Sequence, residues 1–369
     1  MRPVDGLEKD DRMAHTAAST PTPERRSAGA IAGRRQPLTW PSDRPFRILS
    51  VDGGGIKGMF PASFLAALEE ARCEGRSVGD HFDLIAGTST GGIIALGLAS
   101  GMKAADIKRI YEDNGEAIFP PIRGWFRGLR RSLRFLSNLG RYTYDREPLA
   151  KALKDVFGDR VLGDTTRRLC VPSFEGRYGE VVVFKTPHHP DFKKDWKEKI
   201  VDVALATSAA PSFFKTYESG REVYADGGVW ANNPVMIGLV EALASYDLDR
   251  ANIEILSISC GDVDIPFSKG QILKGGLLHW REIIKAAMHL AGQNATGQAG
   301  LLVGRNNLVR VQPPEVFARL PMDDFDAVSG NVDEAVAQTL DKHGPELDRF
   351  FRDVRPAYPA VYGPRAPAP

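Results

Sequence analysis

FRILSVDGGGIKG, residues 46–58, is the stretch that decides the fold of this chain. Its first six residues favour extended structure and are followed at once by glycines, which predicts a strand that ends at residue 51. Residues 59–71 then carry Phe60, Phe64 and Leu68 at helical spacing, which predicts a helix that buries one face. A strand, a glycine-rich turn and a helix in this order are typical of a parallel sheet covered by helices.

The same order repeats directly downstream. Residues 82–86 read FDLIA and predict a second buried strand, residues 91–98 open the next helix, and residues 104–115 predict another. Residues 84–102 carry no charged side chain, yet their many glycines, serines and threonines favour a buried strand, turn and helix over a membrane span. We therefore expect an α/β fold with a parallel sheet.

Later segments extend this pattern. Strands are predicted over 181–184, 222–225 and 253–259, and helices over 200–207 and 277–302. The last of these carries an apolar stripe: Ile283, Ala287, Leu290 and Ala291. Residues 1–44 are predicted to be a disordered tail, residues 45–353 the folded domain, and residues 354–369 a proline-rich tail.

Composition excludes some classes of function. The chain has 369 residues, with 48 Lys plus Arg against 47 Asp plus Glu, so its net charge is +1. No global field attracts it to nucleic acid, and we expect no nucleic-acid partner. The cysteines, Cys73, Cys170 and Cys260, fit no zinc or redox spacing, and the first 44 residues lack the apolar core of a secretion signal. A reducing cytoplasm is the simplest compartment.

The glycine loop after the first strand supports two interpretations. Gly53, Gly55 and Gly58 match a dinucleotide-binding fingerprint, and Asp80 and Asp83 lie near the place where a ribose-binding acid would be expected. The structural alternative is a tight turn that lets a helix pack close to the sheet. The motif one strand downstream shifts the balance away from a dinucleotide site.

That motif is Gly87-Thr88-Ser89-Thr90-Gly91, which lies between a predicted strand and a predicted helix. A nucleophile elbow requires this context, because the small glycines allow a sharp turn that projects the serine hydroxyl above the sheet. Ser89 is therefore the candidate nucleophile.

A serine hydroxyl needs a base to accept its proton. None of the seven histidines follows a strand in a suitable late turn, and residues 188–191 read HHPD, which we interpret as a polar loop because no further metal ligand has the right spacing. Asp226 is better placed: it follows a short predicted strand, and Gly227 and Gly228 allow its carboxylate to approach another element. A Ser89–Asp226 dyad is the working hypothesis.

With these three motifs in this order, residues 45–310 resemble the patatin-like phospholipases, whose marks are a DGGG-type loop, a GxSxG serine and a later DGG or DGA aspartate. The resemblance implies a three-layer α/β/α sandwich with a mostly parallel sheet, catalysis by Ser89 and Asp226, and no metal or cofactor. It also implies an oxyanion hole formed by the glycine loop, to which we assign Gly53, Gly54, Gly55, Lys57 and Gly58. Lys57 stands where arginine is commoner in the family.

Residues 185–189, 206–214 and 226–234 are similar to a narrower group, the bacterial patatin phospholipases of anti-phage signalling operons. That resemblance implies activation by a cyclic dinucleotide such as cyclic GMP-AMP, made by a partner nucleotidyltransferase. It further implies attack on membrane phospholipids by a cytoplasmic protein that contacts the inner membrane peripherally. The sequence leaves open whether the chain forms a homo-oligomer.

Residues 123–146 combine arginines with an apolar stripe that includes Trp125 and Leu129. A surface helix packed by this stripe explains the pattern without a function. The functional alternatives are a lid that touches the membrane and a surface that binds the phosphates of an activator.

Three other functions remain to be weighed. A constitutive patatin-like lipase or lysophospholipase would use the same motifs without nucleotide control. An NAD-dependent oxidoreductase would use the first glycine loop but leaves the GxSxG and DGG motifs unexplained. A lipid- or nucleotide-binding module on an inactive scaffold is disfavoured because both dyad residues are present.

Overall fold

The centre of the fold is a mixed β-sheet, seen in a computed structural model that describes residues 35–121, 142–211, 213–262 and 283–368. The described strands are β1 (Leu38–Thr39), β2 (Phe46–Val51), β3 (Leu84–Gly87), β4 (Arg168–Glu175), β5 (Glu180–Lys185), β6 (Tyr217–Ser219), β7 (Glu222–Asp226), β8 (Tyr246–Asp247), β9 (Ile253–Ile258) and β10 (Leu308–Val311). Within the described residues, the central sheet has the strand order β10-β9-β2-β3-β4-β7-β6, with β5 paired to β4, and β1 and β8 form a separate pair.

Helices cover the sheet. They are α1 (Met59–Arg72), α2 (Thr90–Ala99), α3 (Ala104–Ile118), α4 (Glu147–Phe157), α5 (Ile200–Thr207), α6 (Gly228–Ala231), α7 (Val235–Ser245), α8 (Ile283–Val303), α9 (Glu315–Ala318), α10 (Phe325–Ser329) and α11 (Val332–Leu347). Strands β10, β9, β2, β3 and β4 are parallel, whereas β5 and β7 run antiparallel to β4. The predicted mostly parallel α/β sandwich is confirmed.

Successive side chains along the strands contribute to two separate hydrophobic cores. In β2, Leu49 and Val51 belong to a large cluster that also holds residues of α1, α2, α3 and α11, whereas Phe46 and Ile48 pack with α7 and α8. Successive side chains on a strand point to opposite faces, so each strand contributes to both cores. The result is three layers, with the carboxyl ends of the parallel strands gathered at one edge.

Helix α2 is buried along its whole length, from Thr90 to Ala99. Burial on every side explains why the uncharged segment 84–102 resembles a membrane span in composition. Within the described residues, no helix is both long and apolar enough to cross a bilayer.

Two predictions for the later chain were incomplete. Strand β4 was not predicted, because it begins with Arg168 and its apolar run is interrupted by Pro172. The apolar stripe on α8 is not its buried face: Ala287, Leu290 and Ala291 are exposed, and the buried positions lie later, at Ala299 and Val303. A helix so rich in alanine and glycine has little periodicity from which to choose a face.

The predicted domain boundaries are too narrow at both ends. Residues 38–39 form β1 against β8, and Trp40 is buried against the rings of Phe46 and Tyr246. Residues 354–368 form no helix or strand, as their prolines require, yet Tyr358 is buried and its N–H donates to Thr166 O at 3.3 Å. Both segments therefore pack on the domain, while residues 1–34 lie outside the described residues.

Candidate active site

Ser89 occupies a strained turn between β3 and α2. Its φ is 55° and its ψ is −122°, a conformation that residues other than glycine seldom adopt. The turn is so tight that a Cβ on Gly91 would lie 2.2 Å from Val51 O, and one on Gly87 would lie 2.1 Å from Gly91 O. The Ser89 N–H donates to the Thr207 hydroxyl at 3.0 Å, which fixes the turn from α5. This is the geometry expected of a nucleophile elbow.

Asp226 ends β7 directly opposite this serine. The Ser89 hydroxyl donates to Asp226 Oδ2 at 2.6 Å, and the Gly228 N–H donates to Oδ1 at 2.6 Å. Gly227 allows the close approach, since a Cβ there would lie 2.3 Å from Pro172 O. The two carboxylate oxygens thus have different partners: the backbone donates to one, and the serine hydroxyl donates to the other.

Burial sets the charge state of this carboxylate. Desolvation raises the pKa of Asp226 from 3.8 to about 6, and the hydrogen bonds from Ser89 and Gly228 oppose the rise. The group is ionised at neutral pH but is a stronger base than an exposed aspartate. A pKa close to the working pH is what general-base catalysis requires.

Three histidines in the described part of the chain have partners away from Ser89. The ring of His188 is buried and hydrogen-bonds to Glu241 and Thr186, and burial lowers its pKa to about 4. His189 bonds to Gln36 O, and His81 to Asp353 O. His188 and His189, the first two residues of the predicted polar loop at 188–191, are both buried. In the described part of the chain, no group of side chains could hold a metal ion.

The glycine loop lies against the serine turn. A Cβ on Gly53 would lie 3.1 Å from Ser89 Cβ, and one on Gly58 would lie 2.0 Å from Thr90 Oγ1. Gly55 has a φ of +58°, which favours glycine. Loop and elbow therefore form one surface at the carboxyl ends of β2 and β3.

Only part of this loop is available to a ligand. The Gly53 N–H donates to Asn232 O at 3.0 Å, and the Lys57 N–H to Gly54 O at 3.2 Å. Among the described residues, no acceptor is within hydrogen-bonding reach of the N–H groups of Gly54 and Gly55. Of the five predicted oxyanion residues, Gly54 and Gly55 thus have donors to offer, whereas the N–H groups of Gly53 and Lys57 are already bonded.

Lys57 is a structural residue of the loop. Its ammonium donates to Gly261 O at 3.1 Å and to Ala318 O at 2.9 Å, and burial lowers its pKa. These bonds connect the loop to the segment after β9 and to α9. The Lys57 side chain therefore holds the loop in position.

A buried ion pair that sequence reasoning missed holds the start of the loop. Arg310, on β10, donates to Asp52 Oδ1 at 3.0 Å and to Asp52 Oδ2 at 2.5 Å, and also reaches Asp262 Oδ2 at 2.7 Å. The Cys260 thiol donates to Asp52 O at 3.2 Å. An arginine inside the otherwise apolar strand LVRV was the available signal, because such a charge is seldom buried without a partner.

The acids proposed for a ribose site lie elsewhere. Asp83 precedes β3, accepts the Arg47 N–H at 3.0 Å and faces Arg355, and Asp80 pairs with Arg167. They are therefore at the amino end of the sheet, whereas the glycine loop is at the carboxyl end. A dinucleotide site needs both at the carboxyl end, so this geometry disfavours the oxidoreductase.

Most of the arginine-rich segment 123–146 lies outside the described residues. Its last residue, Arg146, donates to Thr216 O at 3.2 Å and lies over the Tyr217 ring. The membrane and activator interpretations of this segment both stay predictions.

Comparison with known proteins gives consistent results. Residues 49–239 match the family described as Patatin-like phospholipase. The chain is 38% identical over 246 residues to the cGAMP-activated phospholipase of Escherichia coli, covering 63% of this chain and 67% of that protein. Its counterpart from Pseudomonas aeruginosa is 37% identical, with 64% and 68% covered, and that from Vibrio cholerae is 40% identical, with 58% and 62% covered.

Among solved structures, VipD from Legionella pneumophila matches with a TM-score of 0.36 and 15% identity, over 79% of this chain and 67% of that one. The family match covers more than half of the chain and includes both the serine turn and the aspartate that faces it. The chain therefore belongs to the patatin-like phospholipase family.

Proposed function

We propose that this protein is a serine acyl hydrolase that cleaves fatty-acid esters of membrane phospholipids through Ser89 and Asp226, and that a cyclic dinucleotide activates it. The observation that carries the proposal is the 2.6 Å hydrogen bond from a strained, buried serine to a carboxylate of raised pKa. Strain and perturbed pKa values are concentrated at functional sites.

Acylation begins when the Ser89 oxygen attacks the ester carbonyl and Asp226 takes the hydroxyl proton. Negative charge develops on the carbonyl oxygen, and the N–H groups of Gly54 and Gly55 stabilise it. One such donor is worth roughly 2.7–4 kcal/mol in the transition state. The N–H of Thr90, in the first turn of α2, is a third candidate donor.

Asp226 then returns its proton to the oxygen of the leaving lysophospholipid, and the acyl group stays on Ser89. In deacylation, Asp226 accepts a proton from water as that water attacks the acyl-enzyme. The fatty acid leaves, and the proton goes back to Ser89. Neither half of the cycle needs a metal in this scheme.

Activation by a nucleotide is proposed from similarity. Three relatives that are 37–40% identical to this chain are cGAMP-activated phospholipases. We extend to this chain their activator, a role as an anti-phage effector, and peripheral action at the inner membrane from the cytoplasm. Assembly into a homo-oligomer is part of the same proposal.

The test is fatty-acid release from vesicles of phosphatidylethanolamine and phosphatidylglycerol, with and without a panel of cyclic dinucleotides. Release that requires one dinucleotide supports the full proposal. Release without any nucleotide would leave a constitutive lipase. A Ser89→Ala preparation run in parallel should release nothing, and equal release from it would refute the dyad.

A further inference from the structure

Large apolar side chains are exposed at the edge of the sheet that carries the site. Of the exposed ones in the described part of the chain, five belong to segments at the carboxyl ends of the parallel strands: Tyr142, Val229, Leu290, Val316 and Met322. We call this set the apolar rim. The other exposed ones, such as Val240 and Leu301, lie on the sides or at the opposite end.

Two rim residues border the dyad from different sides. The carbonyl of Met322 accepts the Ile56 N–H at 3.0 Å, and a Cβ on Gly55 would lie 2.5 Å from it. Met322 therefore flanks the glycine loop. Val229 follows Gly228, whose N–H holds the Asp226 carboxylate, and it is half exposed.

Two others are attached to the site through their neighbours. Near Leu290, Gly292 O and Thr296 Oγ1 on α8 accept the Asn233 amide at 3.2 and 2.9 Å, in the turn that follows α6. Two residues after Tyr142, the Tyr144 hydroxyl donates to Asp323 at 3.0 Å, next to Met322. Rim residues therefore lie on several elements, far apart in sequence, that contact the glycine loop or the segment that follows Asp226.

We infer that the apolar rim is the surface by which this protein sits on a phospholipid bilayer. Exposed apolar side chains that share one face mark interaction sites, and this set borders the site at which an ester of a membrane lipid has to arrive. The inference rests on the proposed function and adds to it the face that contacts the lipid. A second copy of the chain is the alternative occupant that the experiment must exclude.

Helix α8 provides a matched pair of substitutions. Leu290 is 58% exposed and Leu301 is 81% exposed, and both lie on the same helix. They are separated by roughly three turns, so they lie on the same face of the helix, roughly 16 Å apart along its axis. Leu301 lies near the end of α8, shortly before β10 starts at the amino edge of the sheet.

The experiment compares Leu290→Asp with Leu301→Asp in co-sedimentation with phosphatidylethanolamine–phosphatidylglycerol vesicles, with and without cyclic GMP-AMP. Both variants carry Ser89→Ala, so that vesicles are not consumed and failure of the catalytic proposal leaves the binding result intact. We expect Leu290→Asp to weaken vesicle binding at least roughly tenfold, since one buried leucine accounts for about that factor, and Leu301→Asp to bind like the parent.

A second pair, Met322→Asp and Val240→Asp, repeats the comparison on other elements, and thermal unfolding checks that all variants fold. Equal binding by Leu290→Asp and Leu301→Asp, or no vesicle binding by the parent under either condition, would overturn the inference. Size-exclusion chromatography covers the alternative: if Leu290→Asp breaks an oligomer and vesicle binding is unchanged, the rim is a contact between copies and the inference is wrong.

Discussion

Replacement of Asp226 by asparagine should stabilise the protein while it abolishes turnover. The folded state raises the pKa of this carboxyl group from 3.8 to about 6, so it binds the proton more tightly than the unfolded state does. The resulting stabilisation is complete below pH 3.8 and is lost as the pH rises through 6. Asparagine has a similar shape and no charge, so it avoids this loss.

The magnitude follows from the pKa shift. Each unit corresponds to about 1.4 kcal/mol, so a shift from 3.8 to about 6 amounts to about 3 kcal/mol of unfolding free energy. Urea denaturation of Asp226→Asn and the parent between pH 4 and pH 7.5 measures the difference. We expect the difference to grow in favour of the variant by about 2.4 kcal/mol across this range, because the unfolded carboxyl group is already partly ionised at pH 4.

Other ionisable groups do not interfere, because they are present in both proteins and cancel in the difference. The buried Asp52 is the most important of these, since burial raises its pKa to about 6 as well. Ser89→Ala is a useful control: it removes a hydrogen bond that stabilises the charged form, so the pH dependence should become steeper. A difference that does not change with pH would refute the electrostatic reasoning.

The remaining predictions concern the nucleophile and the loop. Ser89→Ala should lose all turnover and all labelling by a fluorophosphonate probe, with its fold retained by circular dichroism; labelling at another residue would contradict the assignment. Arg310→Met should lower the unfolding free energy by about 3–5 kcal/mol, because it leaves a buried carboxylate unpaired, and adding Asp52→Asn should recover much of the loss in urea denaturation. Gly54→Ala places a Cβ 2.3 Å from Cys260 Cβ, so kcat should fall at least roughly tenfold with KM little changed, and Cys260→Gly should restore part of the rate.

The dyad could be predicted because each half depends on local sequence. Ser89 follows a strand and precedes a helix within ten residues, and Asp226 ends a short strand before two glycines. The residue types that favour sharp turns and strand ends can be recognised within such short segments. The 2.6 Å distance between the two side chains is consistent with the order of the motifs, and the catalytic roles stay predictions.

The support of the site could not be predicted in the same way. Arg310 contacts Asp52 only because β10, β9 and β2 are neighbours in the sheet, and no local pattern reports that order. The exposed face of α8 also depends on tertiary packing, since alanine and glycine fit either environment. Pairing between strands that are distant in sequence therefore determines the contacts that support the site, which the motifs alone do not predict.

The pairing of β2 with β9 also has a consequence for biosynthesis. Phe46 pairs with Ile253 and Val51 with Ile258, so one edge of β2 stays unpaired until about 200 further residues have been synthesised. At typical translation speeds this takes ~10–40 s. During that time a nascent chain carries an unpaired apolar strand edge, which is a hazard for aggregation. Fragments that end before residue 253 should therefore be insoluble or bound by chaperones, and the hydrolase becomes active only after its carboxyl-terminal third has left the ribosome.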